Sequence, residues 1–279
     1  MKIEQFSRGA EAGVDFPFGE VGSFPSWRGA LEAFRASDAR LSPPWEDLFG
    51  ALRQGSVDDL VVVGQIGQSL DGRIATATGR SHYISGPEGL DHLHRLRSLV
   101  DAVVVGVGTA EADDPQLTVR RVPGPSPARV VIDPRGRLSR EARLLADDGI
   151  RRIVVTAQGR DDHEYPGVET IALPMTEGRI APREILARLA GIGLRRVLIE
   201  GGACTLSRFI AENCLDRLHV VVAPILLGDG RPGLALGPID RVDQALRPPM
   251  RIHRLGADVL FDCDFSAQRT LIGRPKKST

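Results

Sequence analysis

From Asp59 onward, short runs of β-branched and aliphatic residues alternate with longer stretches in which apolar residues recur every three or four positions. A strand covered on both faces needs no polar alternation, so the short runs read as buried strands. They predict strands over 60–64, 102–107, 129–133, 152–156, 196–200 and 217–223, with a shorter one over 170–173. The periodic stretches predict helices over 87–100, 182–192 and about 203–213. Pro87 suits a first helical turn, with Ser85 placed to cap it. Asp71-Gly72 marks a turn, and 250–255 with 258–265 reads as an antiparallel hairpin around Gly256-Ala257. Strands alternating with helices predict an α/β fold. Its sheet would be mixed and mostly parallel, flanked by helices, with the C-terminal hairpin at an edge.

Residues 1–58 are patterned differently. They hold both tryptophans, Trp27 and Trp45, several phenylalanines and Pro43-Pro44, with short helical patterns near 27–36 and 45–54. They predict an extension packed on the core or on a second subunit, with a lid over the active site as the alternative. The chain thus divides into an extension (1–58), a main domain (59–268) and a tail (269–279) containing the basic run Arg274-Pro-Lys-Lys277.

In open α/β sheets ligands sit beyond the carboxyl ends of the strands. Strand 196–200 ends in Glu200, and Gly201-Gly202 turns directly into a helix that begins with Ala203, Cys204, Thr205, Leu206, Ser207 and Arg208. Glycines admit a close ligand, and a helix start presents unpaired N–H groups to a phosphate. A tight turn with an ordinary acidic cap is the alternative. The run is neither a GxGxxG nor a Walker A sequence. Gly106-Val-Gly108-Thr109, followed by Asp113-Asp114-Pro115, repeats the strand-to-glycine-turn arrangement. Two such turns in one sheet would grip the two ends of a dinucleotide; helix capping by Thr109 and a turn at Asp114-Pro115 are the alternative. At ~100° per residue, Arg97 falls between Leu90 and Leu93 on the apolar stripe of its helix, whereas His92 and Arg95 point elsewhere. A buried arginine requires an anionic partner. That partner is either a structural carboxylate or a substrate phosphate held in the guanidinium fork. Arg120 and Arg121 are further candidate cations.

Composition narrows the function classes. Lys plus Arg and Asp plus Glu each number 36 in 279 residues, so there is no broad basic field to attract nucleic acid. Three cysteines without CxxC and six histidines without HExxH argue against a disulfide framework and against a metal site. No GxSxG run is present. No apolar run approaches the ~20 residues needed to cross a membrane, and the first residues lack an apolar signal region. A cytoplasmic protein is expected, with neither membrane nor nucleic acid as partner.

Five motifs, in order, carry a family resemblance: Ser69-Leu-Asp-Gly-Arg73, Ser81-His-Tyr-Ile-Ser85, Gly108-Thr109 with Ala112-Asp-Asp-Pro-Gln-Leu-Thr-Val-Arg120, Val131-Ile-Asp-Pro134 and Glu200-Gly-Gly202. Over about 60–265 the chain resembles the reductase domain of the bifunctional riboflavin-biosynthesis deaminase/reductase. The resemblance implies a dihydrofolate-reductase-like fold, NADPH as cofactor and a homodimer. It implies reduction of the ribosyl group of a 5-amino-6-(5-phosphoribosylamino)uracil-type substrate to ribityl. Substrate contacts would fall on Ser81, Arg97, Leu117, Arg120 and Glu200, with Glu200 also in a catalytic role. NADPH contacts would fall on Gly67, Tyr83, Thr109, Asp113 and the stretch Gly202, Ala203, Cys204, Thr205, Leu206, Ser207 and Arg208. Arg135 and Arg137, just past a strand, are candidates for the 2′-phosphate of NADPH, or are simply solvated. The family often has Lys where Gln65 stands, Trp where Tyr83 stands and Ser where Pro134 stands. Gln65 removes a charge near the site and leaves substrate identity open. The alternatives are a reductase of another pterin- or pyrimidine-like compound and a non-catalytic nucleotide-binding module. Residues 1–58 contain no His or Cys, so they lack the ligands of a zinc deaminase.

Overall fold

The computed structural model describes residues 26–36, 39–81, 84–159 and 165–272. The strands are β1 (Val61–Ser69), β2 (Arg73–Thr76), β3 (Ala102–Gly106), β4 (Ala128–Ile132), β5 (Arg152–Ala157), β6 (Glu169–Leu173), β7 (Arg196–Glu200), β8 (Arg217–Ala223), β9 (Gly230–Pro232), β10 (Met250–Leu255) and β11 (Asp258–Asp264). The helices are α1 (Trp27–Arg35), α2 (Trp45–Phe49), α3 (Pro87–Leu99), α4 (Val107–Asp113), α5 (Pro182–Gly191) and α6 (Ala203–Ala211). Among the described residues the main sheet runs β10-β11-β8-β1-β7-β3-β4-β5-β6, parallel from β8 to β6. The β10–β11 hairpin adds two antiparallel strands at one edge. This is the mixed, helix-flanked sheet expected from the pattern.

The apolar runs work because successive side chains leave opposite faces of a strand. Val62, Val104, Val130 and Ile153 pack with Leu186 of α5 and Phe209 of α6. Val61, Val63, Val103, Val105 and Leu198 pack with Leu96 of α3. Gly64 lets α6 lie close on β1, since a Cβ there would stand 2.5 Å from Leu206 Cδ1.

A third layer covers the outer face of α3. Helix α1 buries Trp27, Ala30, Leu31 and Phe34, one amphipathic face at helical spacing. Trp27 meets Trp45 edge-on at 5.3 Å, and Phe49 stacks on His92 at 5.4 Å. The Arg95 guanidinium lies 5.1 Å from the Trp45 ring centroid and 5.8 Å from that of Trp27. The described part of the extension, residues 26–36 and 39–58, therefore packs on the core of its own chain.

Several expectations are corrected. Leu90 is 36% exposed, whereas His92 is fully buried, because α3 turns His92 onto His219 of β8 and Phe49 of the extension closes over its ring. Ser85 does not cap α3: Gly86 is the N-cap residue and donates its N–H to Asp258 Oδ2 at 2.8 Å. Strand β1 continues through the polar Gln65 and Gln68 to Ser69. The second glycine turn opens into α4, and β2 pairs with β9 in a small separate sheet. The basic run 274–277 lies outside the described residues.

Candidate functional site

Strands β7 and β3 are neighbours, so their two glycine turns emerge side by side. The turns interlock. A Cβ on Gly202 would stand 2.6 Å from Thr109 Oγ1, and one on Gly201 would stand 2.9 Å from Thr109 Cγ2. Conversely, a Cβ on Gly106 would stand 2.4 Å from Thr205 Oγ1. Gly201 and Gly202 also hold φ values of 67° and 47°, which β-carbon-bearing residues adopt with strain. Each turn thus needs glycine to make room for the other's threonine. Helix α6 has no side-chain cap, leaving the first-turn N–H groups beyond Gly202 without a side-chain acceptor.

At the end of β7, Glu200 is 6% exposed and Arg97 reaches it from α3 with the same exposure. Nε and Nη2 of Arg97 donate to the two carboxylate oxygens at 2.7 Å each, and Nη1 donates to Thr118 O at 3.0 Å. The carboxylate that a buried Arg97 requires is therefore Glu200. One arginine ties three elements together: α3, β7 and the loop after α4. That loop is strained. Asp114 and Leu117 hold φ values of 37° and 56°, both left-handed and neither glycine. The Leu117 side chain is 1% exposed and sits in the core, so the residue can offer the site only its backbone.

Arg120 follows. Its N–H donates to His94 Nδ1 at 3.1 Å, while its side chain is exposed. Among the described residues no carboxylate pairs with Arg120 or with Arg143. Partial burial first, then the nearby Arg97 and Arg143, hold the Arg120 guanidinium below the usual arginine value, with Glu200 opposing. This is a cationic patch with which no described carboxylate forms an ion pair. Ser81 Oγ donates to Asp113 Oδ1 at 2.8 Å, joining an expected substrate contact to an expected cofactor contact.

Other expected contacts are placed differently. Leu206 is fully buried against β1, so its side chain is unavailable to a cofactor. Ser207 is buried and its Oγ accepts the Ala235 N–H at 2.7 Å. Arg208 donates to Ile180 O at 3.0 Å. Of the stretch from Gly202, the residues Ala203, Cys204 and Thr205 remain at the turn. Gly67 lies under Ser85, whose Oγ would be 2.5 Å from a Cβ. Arg137 pairs with Glu111 at 3.3 Å. Tyr83 lies outside the described residues. Gln65 is 6% exposed and pairs in register with Glu200 on one side and His219 on the other. Sequence reasoning missed His94. Its signal was proximity in sequence to Arg97 on the same helix.

The chain is similar to 2,5-diamino-6-ribosylamino-4(3H)-pyrimidinone 5′-phosphate reductase of Methanothermobacter thermautotrophicus, at 34% identity over 209 residues, 72% of this chain and 96% of that protein. It is 33% identical over 196 residues to riboflavin biosynthesis protein RibD of Aquifex aeolicus, covering 70% of this chain and 54% of that protein. Among solved structures, a diaminohydroxyphosphoribosylaminopyrimidine deaminase/5-amino-6-(5-phosphoribosylamino)uracil reductase from Thermotoga maritima superposes with a TM-score of 0.64 at 27% identity. It covers 74% of this chain and 56% of that one. The chain thus spans about half the length of these last two proteins and nearly all of the archaeal one. The model of the RibD C-terminal domain matches residues 60–261, from the start of β1 into β11, and the chain belongs to that family.

Proposed function

We propose that the protein is an NADPH-dependent reductase that converts the ribosyl group of a 5-amino-6-(5-phosphoribosylamino)uracil-type substrate to ribityl in riboflavin biosynthesis. The observation that carries this reading is Glu200, clamped by Arg97 where the two glycine turns interlock, beside Arg120 and Arg143, which no described carboxylate pairs. A carboxylate, an anion-binding patch and an uncapped helix start then share one crevice. The activity printed for the archaeal relative, matched over 96% of its length, supports the same reading.

NADPH, when bound, supplies the hydride. The turn at Gly202, Ala203, Cys204 and Thr205 fits its pyrophosphate, since the N–H groups there are uncapped. Thr109 lies beside that turn, with Asp113 one helical turn further along α4, and Arg135 and Arg137 are the candidates for the 2′-phosphate. Arg120 and Arg143 bind the substrate phosphate. Arg97 acts mainly by fixing the Glu200 carboxylate in one orientation. Glu200 in turn orients the substrate's amino and hydroxyl groups and handles a proton as the ribosylamine opens. Holding two reactants in near-attack geometry contributes as much as ~7–11 kcal/mol to such a step. A homodimer is part of the proposal. Met250 and Ile252 on the edge strand β10, with Val242 before it, are exposed apolar side chains that a second copy would cover. Light scattering of the purified chain tests it.

The test of function is NADPH oxidation, followed by nicotinamide absorbance, with freshly made 5-amino-6-ribosylaminouracil phosphate beside its 2,5-diamino counterpart. Turnover of either supports the reading, and the faster one fixes the order of steps. NADPH binding without turnover of either would refute it and favour a reductase of another heterocycle.

A further inference from the structure

A buried polar chain under α3 takes no part in the reaction proposed above. Asp262 Oδ1 stands 3.2 Å from His219 Nε2, and His219 Nδ1 stands 2.9 Å from His92 Nε2. None of the three residues is more than 1% exposed. Arg217 grips the same carboxylate, with Nε 2.9 Å from Oδ1 and Nη2 on the other oxygen. The imidazole rings stack at 5.1 Å, and Phe49 of the extension covers His92.

The protons can be placed by charge and distance. Burial works against an ionised Asp262, but His219 and Arg217 hold it well below the usual carboxylate range. A carboxylate facing His219 Nε2 favours the proton on that nitrogen, leaving Nδ1 as an acceptor. His92 then donates from Nε2, and its own Nδ1 is a bare lone pair. That atom is buried without a hydrogen-bond partner. A further proton would enter there and create a cation with no acceptor beneath an apolar ring. The surroundings add no relief. His219 and Arg217 face it from β8, Asp262 from β11, His253 from β10 and Arg95 from its own helix, and Asp47 of α2 lies beyond, next to Arg251. Burial first, then His219 and Arg95, press the His92 pKa well below the ordinary 6.5, with Asp262 opposing.

We propose that His92 makes the segment from Trp27 to Leu52 an acid-released cap: a proton on His92 Nδ1 expels Phe49, and the Trp27–Trp45–Phe49 cluster leaves α3. The cap is the element that yields because it joins no sheet. Its side chains reach the rest of the fold through few polar ties, among them Trp27 Nε1 to Pro123 O at 2.9 Å and Arg35 Nη2 to Ser98 O at 3.4 Å. The family match begins only at residue 60, and 72% of this chain already accounts for 96% of the archaeal relative, so the reductase fold is complete without such a cap.

The sign follows from linkage. Release of the cap lets water reach His92 and relieves part of the burial that holds its pKa well below the ordinary 6.5 in the docked state. The cap is therefore fully held at pH values above the titration of released His92. Each unit of acidification below it raises the released-to-docked ratio about tenfold per proton taken up.

Both tryptophans of the chain lie in this cap, so their emission reports docking directly. Full-length protein is titrated from neutral to acid while tryptophan emission and far-ultraviolet circular dichroism are read on the same samples. The expected result is an emission change that precedes loss of secondary structure. His92→Gln keeps a donor toward His219 but does not titrate; its emission transition should move at least one pH unit lower and take up about one proton fewer. Emission and dichroism that change together in the wild type would overturn the proposal, whether or not the variant folds. So would a His92→Gln transition unchanged in midpoint and steepness.

Discussion

Replacing Arg97 by methionine separates the two roles that a buried arginine beside a phosphate site could play. In the folded protein its fork satisfies both oxygens of Glu200 at 2.7 Å and the Thr118 carbonyl at 3.0 Å. Pair and surroundings are almost dry, with side-chain exposures of 7% and 8%. Removing one partner of such a pair leaves the other charge buried and uncompensated, at a cost of about 3–5 kcal/mol. Some of that is recovered if water enters from the crevice, so about 3 kcal/mol is the expected loss for Arg97→Met. Arg97→Met with Glu200→Leu removes both charges and should recover most of it, since apolar replacement of a buried pair is often neutral or stabilising. Denaturant melts of the wild type, both single variants and the double variant complete the cycle. Arg120→Ala supplies the contrast: the exposed side chain should leave stability within ~0.5 kcal/mol, while KM for the phosphorylated substrate rises with kcat nearly unchanged. If Arg97→Met were as stable as wild type and raised only KM, the clamp would be wrong and Arg97 would be a phosphate ligand first.

Gly202→Ala must fit a Cβ 2.6 Å from Thr109 Oγ1 at φ 47°. A loss of about 2–3 kcal/mol is expected from strain and contact together, with weakened NADPH affinity by fluorescence titration. Adding Thr109→Ala should restore part of the stability, and no restoration would rule out the interlock. Ser81→Ala breaks the 2.8 Å hydrogen bond to Asp113 and should cost about 1 kcal/mol or less in stability, with the larger effect on KM for NADPH or substrate. Burial first, then Arg97, Arg120 and Arg121, push the His94 pKa down to about 3 from 6.5. The unfolded chain takes up that proton first, so stability is full above 6.5 and declines as pH falls from there toward 3. His94→Asn, whose Oδ1 still accepts the Arg120 N–H, should flatten this decline in pH-dependent melts, and an unaltered slope would assign it to other groups.

The sequence pattern located most strands of the sheet closely, because a strand buried on both faces is a continuous apolar run. Val197-Leu-Ile, Val103-Val-Val and Val220-Val-Val are examples. It lost the upper half of β1, where Gln65 and Gln68 interrupt the run, and it lost β2 and β9, which are short, polar and paired only with each other. The site was legible where a residue contradicted its setting: Arg97 on an apolar stripe, Glu200 at a strand end, glycines before a helix. It was not legible where packing assigned the role. Leu206 and Ser207 share the motif with Gly202, yet their position along α6 turns them into the core. No local pattern says so, because the direction of α6 is set by its approach to Gly64.

His92 shows why the N-terminal extension matters to the rest of the molecule. A helix lying on a sheet has one face to bury, and by that rule α3 should present Leu90 inward and His92 outward. The opposite holds because α3 turns His92 onto His219 of β8, and the aromatic cluster closes over the same ring. The unpaired amphipathic face of α1, with Trp27, Leu31 and Phe34 and no strand of its own to cover, was the one sequence signal that such a second layer must exist. Helix α3 then carries polar side chains on both flanks. Arg97 fixes Glu200 at the crevice, while His92 and Arg95 meet the cap. The segment from Trp27 to Leu52 thus packs on the same helix, 13 residues long, that carries Arg97 to Glu200.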